Sequence, residues 1–171
     1  MMFLSKYHEY GLRSMILLAG RSKTGAAQLP VQTRDISQVE QIPSKFLEHI
    51  LLMLKKAGLL CSKIGAGGGY YLARPANQIT LGQIIRALDG KLEPLNCVNQ
   101  GSREPCSCPR AATCGVRMVM SDVYDSISNI LDHTTLEDVS NRVALAKENL
   151  DGTQTQEADA LLLSSRFDFT I

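Results

Sequence analysis

The fold is decided by the stretch Thr33-Arg-Asp-Ile-Ser-Gln-Val-Glu-Gln-Ile-Pro-Ser-Lys-Phe-Leu-Glu-His-Ile-Leu-Leu-Met-Leu-Lys-Lys-Ala-Gly58. Its first part predicts a short helix over residues 33–40, with Thr33 as the N-cap. The break Gln41-Ile42-Pro43 separates that helix from a longer one, which we predict over Ser44–Ala57. A short helix, a tight turn and a longer amphipathic helix together form a helix-turn-helix pattern.

The longer helix has two faces of different character. Gly58 is expected to end it in the left-handed conformation. Its apolar side chains recur at the spacing of one helix face and predict a buried stripe of Phe46, Leu47, Ile50, Leu51 and Leu54.

The other face of the longer helix carries polar side chains near its start, namely Ser44, Lys45, Glu48 and His49. In a helix-turn-helix these N-terminal positions enter the major groove of DNA. Ser44 and Lys45 suit phosphate or guanine contacts, and Glu48 can accept a hydrogen bond from a cytosine amino group. The alternative is that Glu48 and His49 are simply solvated.

Two short β-rich runs follow, with a glycine loop between them, and they predict a hairpin or wing. The runs are Leu59–Ile64 and Tyr70–Leu72, and glycines at 65, 67 and 68 would let the backbone approach a phosphate or a groove. The rival interpretation is a nucleotide-binding loop, which requires a helix directly after the glycines. Because Tyr70–Leu72 reads as a strand and Pro75 follows it, an enzyme of that kind is disfavoured.

The distribution of charge also points to a polyanionic partner. Residues 1–75 carry ten Lys/Arg and four Asp/Glu, a net +6, whereas residues 76–171 carry eight and thirteen, a net −5. Lys55, Lys56 and Lys63 are interpreted as phosphate contacts that position the protein without reading sequence. The plainer interpretation of the asymmetry is chance together with an acidic tail.

Helices are also predicted on both sides of this pattern. One covers Tyr7–Arg21 with Ser5 as its N-cap, and another covers Thr80–Asp89, capped by Thr80 and closed by Gly90. A long helix, and then a final helix from Thr135 to about residue 150, follow a cysteine-rich loop. The seam of the long helix comprises Val116, Val119, Met120, Val123, Ile127, Ile130 and Leu131. Such a seam favours dimerisation over packing on its own domain.

The predicted fold is therefore mainly α with a small β-hairpin wing (α+β), a winged helix-turn-helix domain joined to a long dimerisation helix. We divide it into a DNA-binding domain over 1–92 and a cysteine-rich loop over 93–115. The dimerisation helix and the helix after it occupy 116–150, and a tail that begins as a polar linker occupies 151–171. No catalytic triad, acid–base pair or metalloprotease pattern is present, so an enzyme is not expected.

The loop holds four of the five cysteines within eighteen residues: Cys97, Cys106, Cys108 and Cys114. A loop rich in Pro, Gly and small polar residues buries little apolar surface, so something other than a core must order it. With no signal peptide or membrane span expected, the cytoplasm is the default location, where clustered cysteines indicate metal or redox chemistry. Zinc is the weaker alternative because no Cys-x-x-Cys pair is present. The fifth cysteine, Cys61, is expected to be a small buried hydrophobe.

The order of these parts resembles the IscR/NsrR/CymR family of bacterial transcription regulators (the Rrf-two type) over about residues 3–140. The segments that carry the resemblance are Ile-Pro-Ser-Lys-Phe-Leu-Glu at 42–48, Lys-Lys-Ala-Gly-Leu-Leu at 55–60, Gly-Gly-Gly-Tyr at 67–70 and Ile-Thr-Leu-Gly-Gln-Ile-Ile at 79–85. The resemblance implies a dimer that binds an operator in double-stranded DNA. In many members an iron–sulfur cluster occupies the cysteine loop.

The family's three cluster cysteines match Cys97, Cys108 and Cys114 in order, with Cys106 competing for the role of Cys108. For the fourth ligand, one branch of the family has a histidine where this chain has Arg117. Other branches recruit a carboxylate from the first helix of the partner subunit, where Glu9 matches and His8 is a weaker candidate. A two-iron cluster is preferred over a four-iron cluster because four ligands shared between two subunits suit it.

The wing departs from the family pattern at one position. The family often has an arginine just before the first glycine of the wing, where this chain has Ile64. Lys63 is the residue that would partly substitute for it. The resemblance thus implies a cluster-controlled regulator, expected to be a repressor. The alternative is a cluster-free regulator controlled by cysteine thiols or by a protein partner.

Overall fold

The computed structural model describes residues 5–22, 29–65, 67–88, 98 and 110–149. Helices dominate the described chain, which also contains a two-stranded antiparallel hairpin. The helices are α1 (Lys6–Ser22), α2 (Thr33–Glu40), α3 (Ser44–Lys56), α4 (Leu81–Leu88), α5 (Gly115–His133) and α6 (136–149); the strands are β1 (Leu60–Lys63) and β2 (Gly69–Leu72). The predicted mainly α fold with a β-hairpin wing is confirmed.

The helix starts follow from local side-chain chemistry. Ser5 caps α1, since its Oγ accepts a hydrogen bond from the His8 N–H at 3.5 Å, while the Ser5 N–H donates to His8 Nδ1 at 3.1 Å. Thr80 caps α4 in the same reciprocal way, through the Gln83 N–H at 3.3 Å and the Gln83 side-chain oxygen at 3.4 Å. These are capping boxes, in which two N–H groups that the helix leaves unpaired are satisfied together.

The predicted cap of α2 is wrong by one residue. Gln32 is the N-cap, with no side-chain cap hydrogen bond, and Thr33 is the first helical residue. The cause lies outside the helix: Val31 pairs with Tyr70 of β2 through two backbone hydrogen bonds of 2.9 Å. This pairing holds the chain extended up to Val31, so it turns into the helix at Gln32.

The core is built around α3, whose Leu47, Ile50, Leu51 and Leu54 are fully buried. Phe46, which we assigned to the same stripe, is 39% exposed. Its ring packs against α1 instead, with ring centroids 4.6 Å from Tyr7 and 5.9 Å from Tyr10. The prediction for Phe46 is wrong because this side chain lies at the edge of the stripe, where α1 covers only part of it.

The hairpin pairs Leu60 with Leu72 and Cys61 with Tyr71. Leu60 and Leu72 are buried in the core. Successive side chains of a strand point to opposite faces, so Cys61 and Tyr71 point away from that core. Cys61 is therefore half-buried and not the fully buried residue we expected.

The end of α5 and the start of α6 are fixed to residues 79–81, at the start of α4, by backbone pairing. The Leu81 N–H donates to the Thr134 carbonyl and the Leu136 N–H donates to the Ile79 carbonyl, both at 2.9 Å. Leu136 is fully buried in the core, and Arg86 of α4 forms an ion pair with Asp132 of α5. These contacts hold the end of α5 in a fixed orientation relative to α4.

Most of the predicted cysteine loop and all of the predicted tail lie outside the described residues, as do Asp89 and Gly90.

Candidate nucleic-acid interface and cysteine site

The start of α3 presents the residues that the sequence assigned to the major groove. Ser44, Lys45, Glu48 and His49 are all exposed. Ser37 of α2 fixes the turn that precedes them, because its hydroxyl donates to the Ile42 carbonyl at 2.7 Å and lies 3.0 Å from the Ser44 hydroxyl. The buried stripe beneath holds the helix, so the exposed face has a set orientation.

His49 differs from Lys45 and Glu48 in what surrounds it. The His49 ring lies edge-on to Tyr7 of α1, with centroids 5.8 Å apart, so His49 sits at the flank of the face that meets α1. No described side chain forms an ion pair with Lys45 or Glu48 within 4.0 Å.

Arg34 of α2 is also exposed, although it is not among the residues predicted to contact DNA. A basic residue on the first helix of a helix-turn-helix was a usable signal, since that helix crosses the DNA backbone.

The wing ends in an exposed tip. Ile64 is 96% exposed, and Lys63, Gly65 and Gly67 are exposed beside it. Gly65 and Gly67 have φ values of +108° and +82°, which favour glycine. Gly68 serves the turn itself: its N–H donates to the Gly65 carbonyl at 2.8 Å, and a Cβ added there would overlap the Lys63 carbonyl oxygen.

The two adjacent lysines at the end of α3 differ in their contacts. Lys55 and Lys56 are both exposed. Lys55 donates from its Nζ to the hydroxyl of Ser62 in β1 at 2.7 Å, which ties the end of α3 to the hairpin. Lys55 thus has a packing role besides the predicted phosphate contact.

The candidate ligands on α1 have different surroundings. The Glu9 side chain is 42% exposed and forms ion pairs with Lys6 at 2.7 Å and Arg13 at 3.3 Å. The hydrogen bond from Lys6 is the main reason that the pKa of Glu9 lies below its usual range. His8 is only 3% exposed and takes part in the α1 cap. Of the two, Glu9 offers an ionised carboxylate at the surface.

Cys114 is the cluster candidate that the structure describes. It is half-buried and occupies the N-cap of α5, where the helix dipole favours negative charge. Cys97, Cys106 and Cys108 lie outside the described residues, although Val98, next to Cys97, is 7% exposed. Within the described ranges no group of three or more His, Cys, Asp or Glu side chains could hold a metal ion. The described thiol of Cys114 fits the chemistry of an iron–sulfur site in kind.

None of the helices in the described part of the chain is both long enough and apolar enough to cross a bilayer.

The chain is similar to known proteins both in sequence and in fold. The sequence profile of the Rrf2 family, described as iron-dependent transcriptional regulators, matches residues 4–142. An Rrf2-like HTH-type transcriptional regulator of Rhodobacter capsulatus is 33% identical over 132 residues, which are 77% of this chain and 87% of the relative. The HTH-type transcriptional regulator IscR of Pectobacterium carotovorum is 34% identical over 158 residues, 92% of this chain and 88% of IscR.

Two solved structures have a similar fold. CymR of B. subtilis, the global cysteine regulator, superposes with a TM-score of 0.67 and 32% identity over 83% of this chain and 98% of CymR. IscR of T. potens gives a TM-score of 0.63 and 31% identity over 82% of this chain and 87% of IscR. The winged fold and the family resemblance read from the sequence are thereby confirmed. The chain belongs to the Rrf2 family of transcriptional regulators.

Proposed function

We propose that this regulator is a homodimeric DNA-binding repressor whose operator binding is controlled by an iron–sulfur cluster in the cysteine loop. The observation that carries the proposal is the position of α5. This helix begins directly after Cys114 and ends where the backbone pairs with the DNA-binding domain. With 19 residues at about 1.5 Å per residue, it spans roughly 29 Å between the two.

The DNA-binding part of the proposal rests on the exposed start of α3. Lys45 would contact phosphate or guanine, and Glu48 would accept a hydrogen bond from cytosine. Lys56 and Lys63 would contact phosphates, which position the protein without specifying sequence. Such a repressor would act in the cytoplasm, where the operator is.

The cluster part of the proposal assigns Cys97, Cys108 and Cys114 as ligands, with Cys106 as the alternative to Cys108. Glu9 of the partner subunit would be the fourth ligand, and its carboxylate is already ionised and at the surface. A cluster held by thiolates supplies redox-sensitive metal–sulfur bonds whose formation orders the loop. A two-iron cluster is preferred over a four-iron cluster because four ligands shared between two subunits suit it.

The dimer part rests on the unpaired apolar surface of α5. No described residue of α5 is buried. Val116, Val119 and Ile130 of the predicted seam are each more than half exposed. Helices with such a face are stabilised when a second copy covers it. A dimer built on α5 would place two α3 helices on one DNA duplex and would bring Glu9 of one subunit within reach of the loop of the other.

The alternative is a cluster-free regulator controlled by cysteine thiols or by a protein partner. It is favoured by the similarity to the oxidized form of CymR from Staphylococcus aureus, which superposes with a TM-score of 0.61 and 30% identity over 82% of this chain. This alternative predicts a colourless protein in which replacing Cys97, Cys108 and Cys114 with alanine leaves operator binding unchanged.

Replacing Glu48 should change which operator sequences are bound. Glu48→Ala removes the proposed acceptor for a cytosine amino group, so we expect discrimination at one base pair to fall by about 1–3 kcal/mol. Lys56→Ala is the matched control two turns along the same helix. It should weaken binding to all sequences alike and reduce the salt dependence. Operator titrations against single-base variants at two salt concentrations would measure both effects, and equal loss on every sequence for Glu48→Ala would contradict its assignment.

A further inference from the structure

A groove between α1 and α6 has no part in the function proposed above. It encloses about 430 Å³ and is open on one side. Ile16 and Leu17 of α1 and Val143 of α6 form its apolar walls, and Arg21 and Lys147 place two cations at its edge. Glu40 of α2 also lines the groove, but its carboxylate is already paired with Arg13. Apolar walls with basic edges suit an apolar segment that carries acidic residues.

One buried polar group lies beneath the wall of the groove. Ser140 lines the groove and is only 7% exposed. Its hydroxyl has no hydrogen-bond partner among residues that the structure describes. Because this oxygen has almost no accessible surface, an occupant of the groove would contact the apolar walls and the charged edge instead.

The part of the chain that follows α6 has the chemistry that this groove requires. The described part of α6 extends to residue 149, two residues beyond Lys147 at the edge of the groove, and the chain continues through residue 171. A polar run, Asp151-Gly-Thr-Gln-Thr-Gln, leads to the sequence Glu157-Ala-Asp159-Ala-Leu-Leu-Leu163. The twelve residues from 149 to 161 reach about 40 Å when extended, which is far more than the few turns of α6 they must pass.

We propose that Glu157–Leu163 docks into the α1–α6 groove of its own chain. The three leucines would cover the apolar walls, and the acidic residues Glu157 and Asp159 would face Lys147 at the edge. A short linker holds the segment near the groove at an effective concentration on the order of millimolar, so modest contacts suffice.

Hydrogen–deuterium exchange on the full chain tests the proposal by reading the backbone amides of 157–163. We expect these amides to exchange about tenfold or more slowly than in a free peptide of the same sequence. Val143→Glu should abolish the protection because it puts a charge on an apolar wall. Leu145→Glu is the matched control, since Leu145 is an exposed apolar residue of the same helix and does not line the groove.

A charge exchange provides a second, independent readout. Lys147→Glu should weaken the protection, and adding Glu157→Lys should restore it. Exchange of 157–163 at the free-peptide rate, or equal protection in the Val143→Glu and Leu145→Glu variants, would overturn the proposal. Protection that rises with protein concentration would also overturn it, because the occupant would then belong to a second copy. None of these readouts depends on a cluster or on DNA, so they are separate from the tests of the proposed function.

Discussion

Gly69→Ala is expected to destabilise the protein by about 3 kcal/mol or more, because this glycine lies where the wing meets the chain before α2. Its φ is +150°, and a Cβ there would overlap the carbonyl oxygen of Val31. An alanine must therefore break the Val31–Tyr70 pairing, which loses two hydrogen bonds of about 1 kcal/mol each and adds backbone strain of roughly 1–3 kcal/mol. Urea unfolding at a fixed protein concentration measures the change.

Gly67→Ala is the matched control for that variant. Gly67 also has a positive φ, +82°, but a Cβ there would meet no atom within 4 Å. Only the backbone preference is lost, at a cost of about 1–2 kcal/mol. If both variants lose the same stability, the pairing between the wing and residue 31 is not what Gly69 supports.

Cys114→Ser is expected to remove nearly all bound iron and sulfide and with them the response of operator binding to oxidation. A serine hydroxyl would replace the proposed thiolate ligand at the residue that precedes α5, and in the proposed site the metal–sulfur bonds supply the energy that orders the loop. The measurement is iron and sulfide content together with operator affinity before and after exposure to air.

Cys61→Ser serves as the control for the loss of any thiol. Cys61 is in β1 opposite Tyr71, half-buried and outside the cysteine loop. This variant should keep its iron, its sulfide and its redox response. Retention of the cluster in both variants would remove Cys114 from the ligand set, and its loss in both would indicate a general effect on folding.

The parts of the fold that the sequence predicts well are those fixed by local chemistry. The caps at Ser5 and Thr80 need partners only three residues away, and the stripe of α3 depends on helical spacing alone. Gly58, at φ +71°, ends α3 in the left-handed conformation that its position after the last apolar residue predicts.

The predictions from sequence are wrong where contacts between distant segments determine the local structure. The N-cap of α2 is Gln32 instead of the predicted Thr33 because Val31 pairs with Tyr70, 39 positions further along the chain. Phe46 and Cys61 are less buried than their apolar neighbours implied, since what covers them is set by α1 and by the orientation of the hairpin. Such contacts are tertiary, and spacing along the sequence carries no information about them.

The same limit applies to the ion pairs that join the helices. Arg13 of α1 binds Glu40 at the end of α2 at 3.0 Å, and Arg86 binds Asp132 across 46 positions. Neither ion pair can be predicted from the order of charges in the sequence.

The exposed face of α3, in contrast, was predictable, because the buried stripe determines which residues of the helix remain exposed. The complete ligand set stays a prediction, since Cys97, Cys106 and Cys108 lie outside the described residues.

The proposed control of this regulator depends on a cluster in the Cys97–Cys114 loop. The most direct test is an anaerobic purification followed by a visible absorption spectrum and by iron, sulfide and zinc analysis. We predict a brown protein that contains iron and sulfide in equal amounts. A colourless protein that stays free of metal after cluster reconstitution would contradict the claim, and so would zinc alone, which would make the loop a structural site.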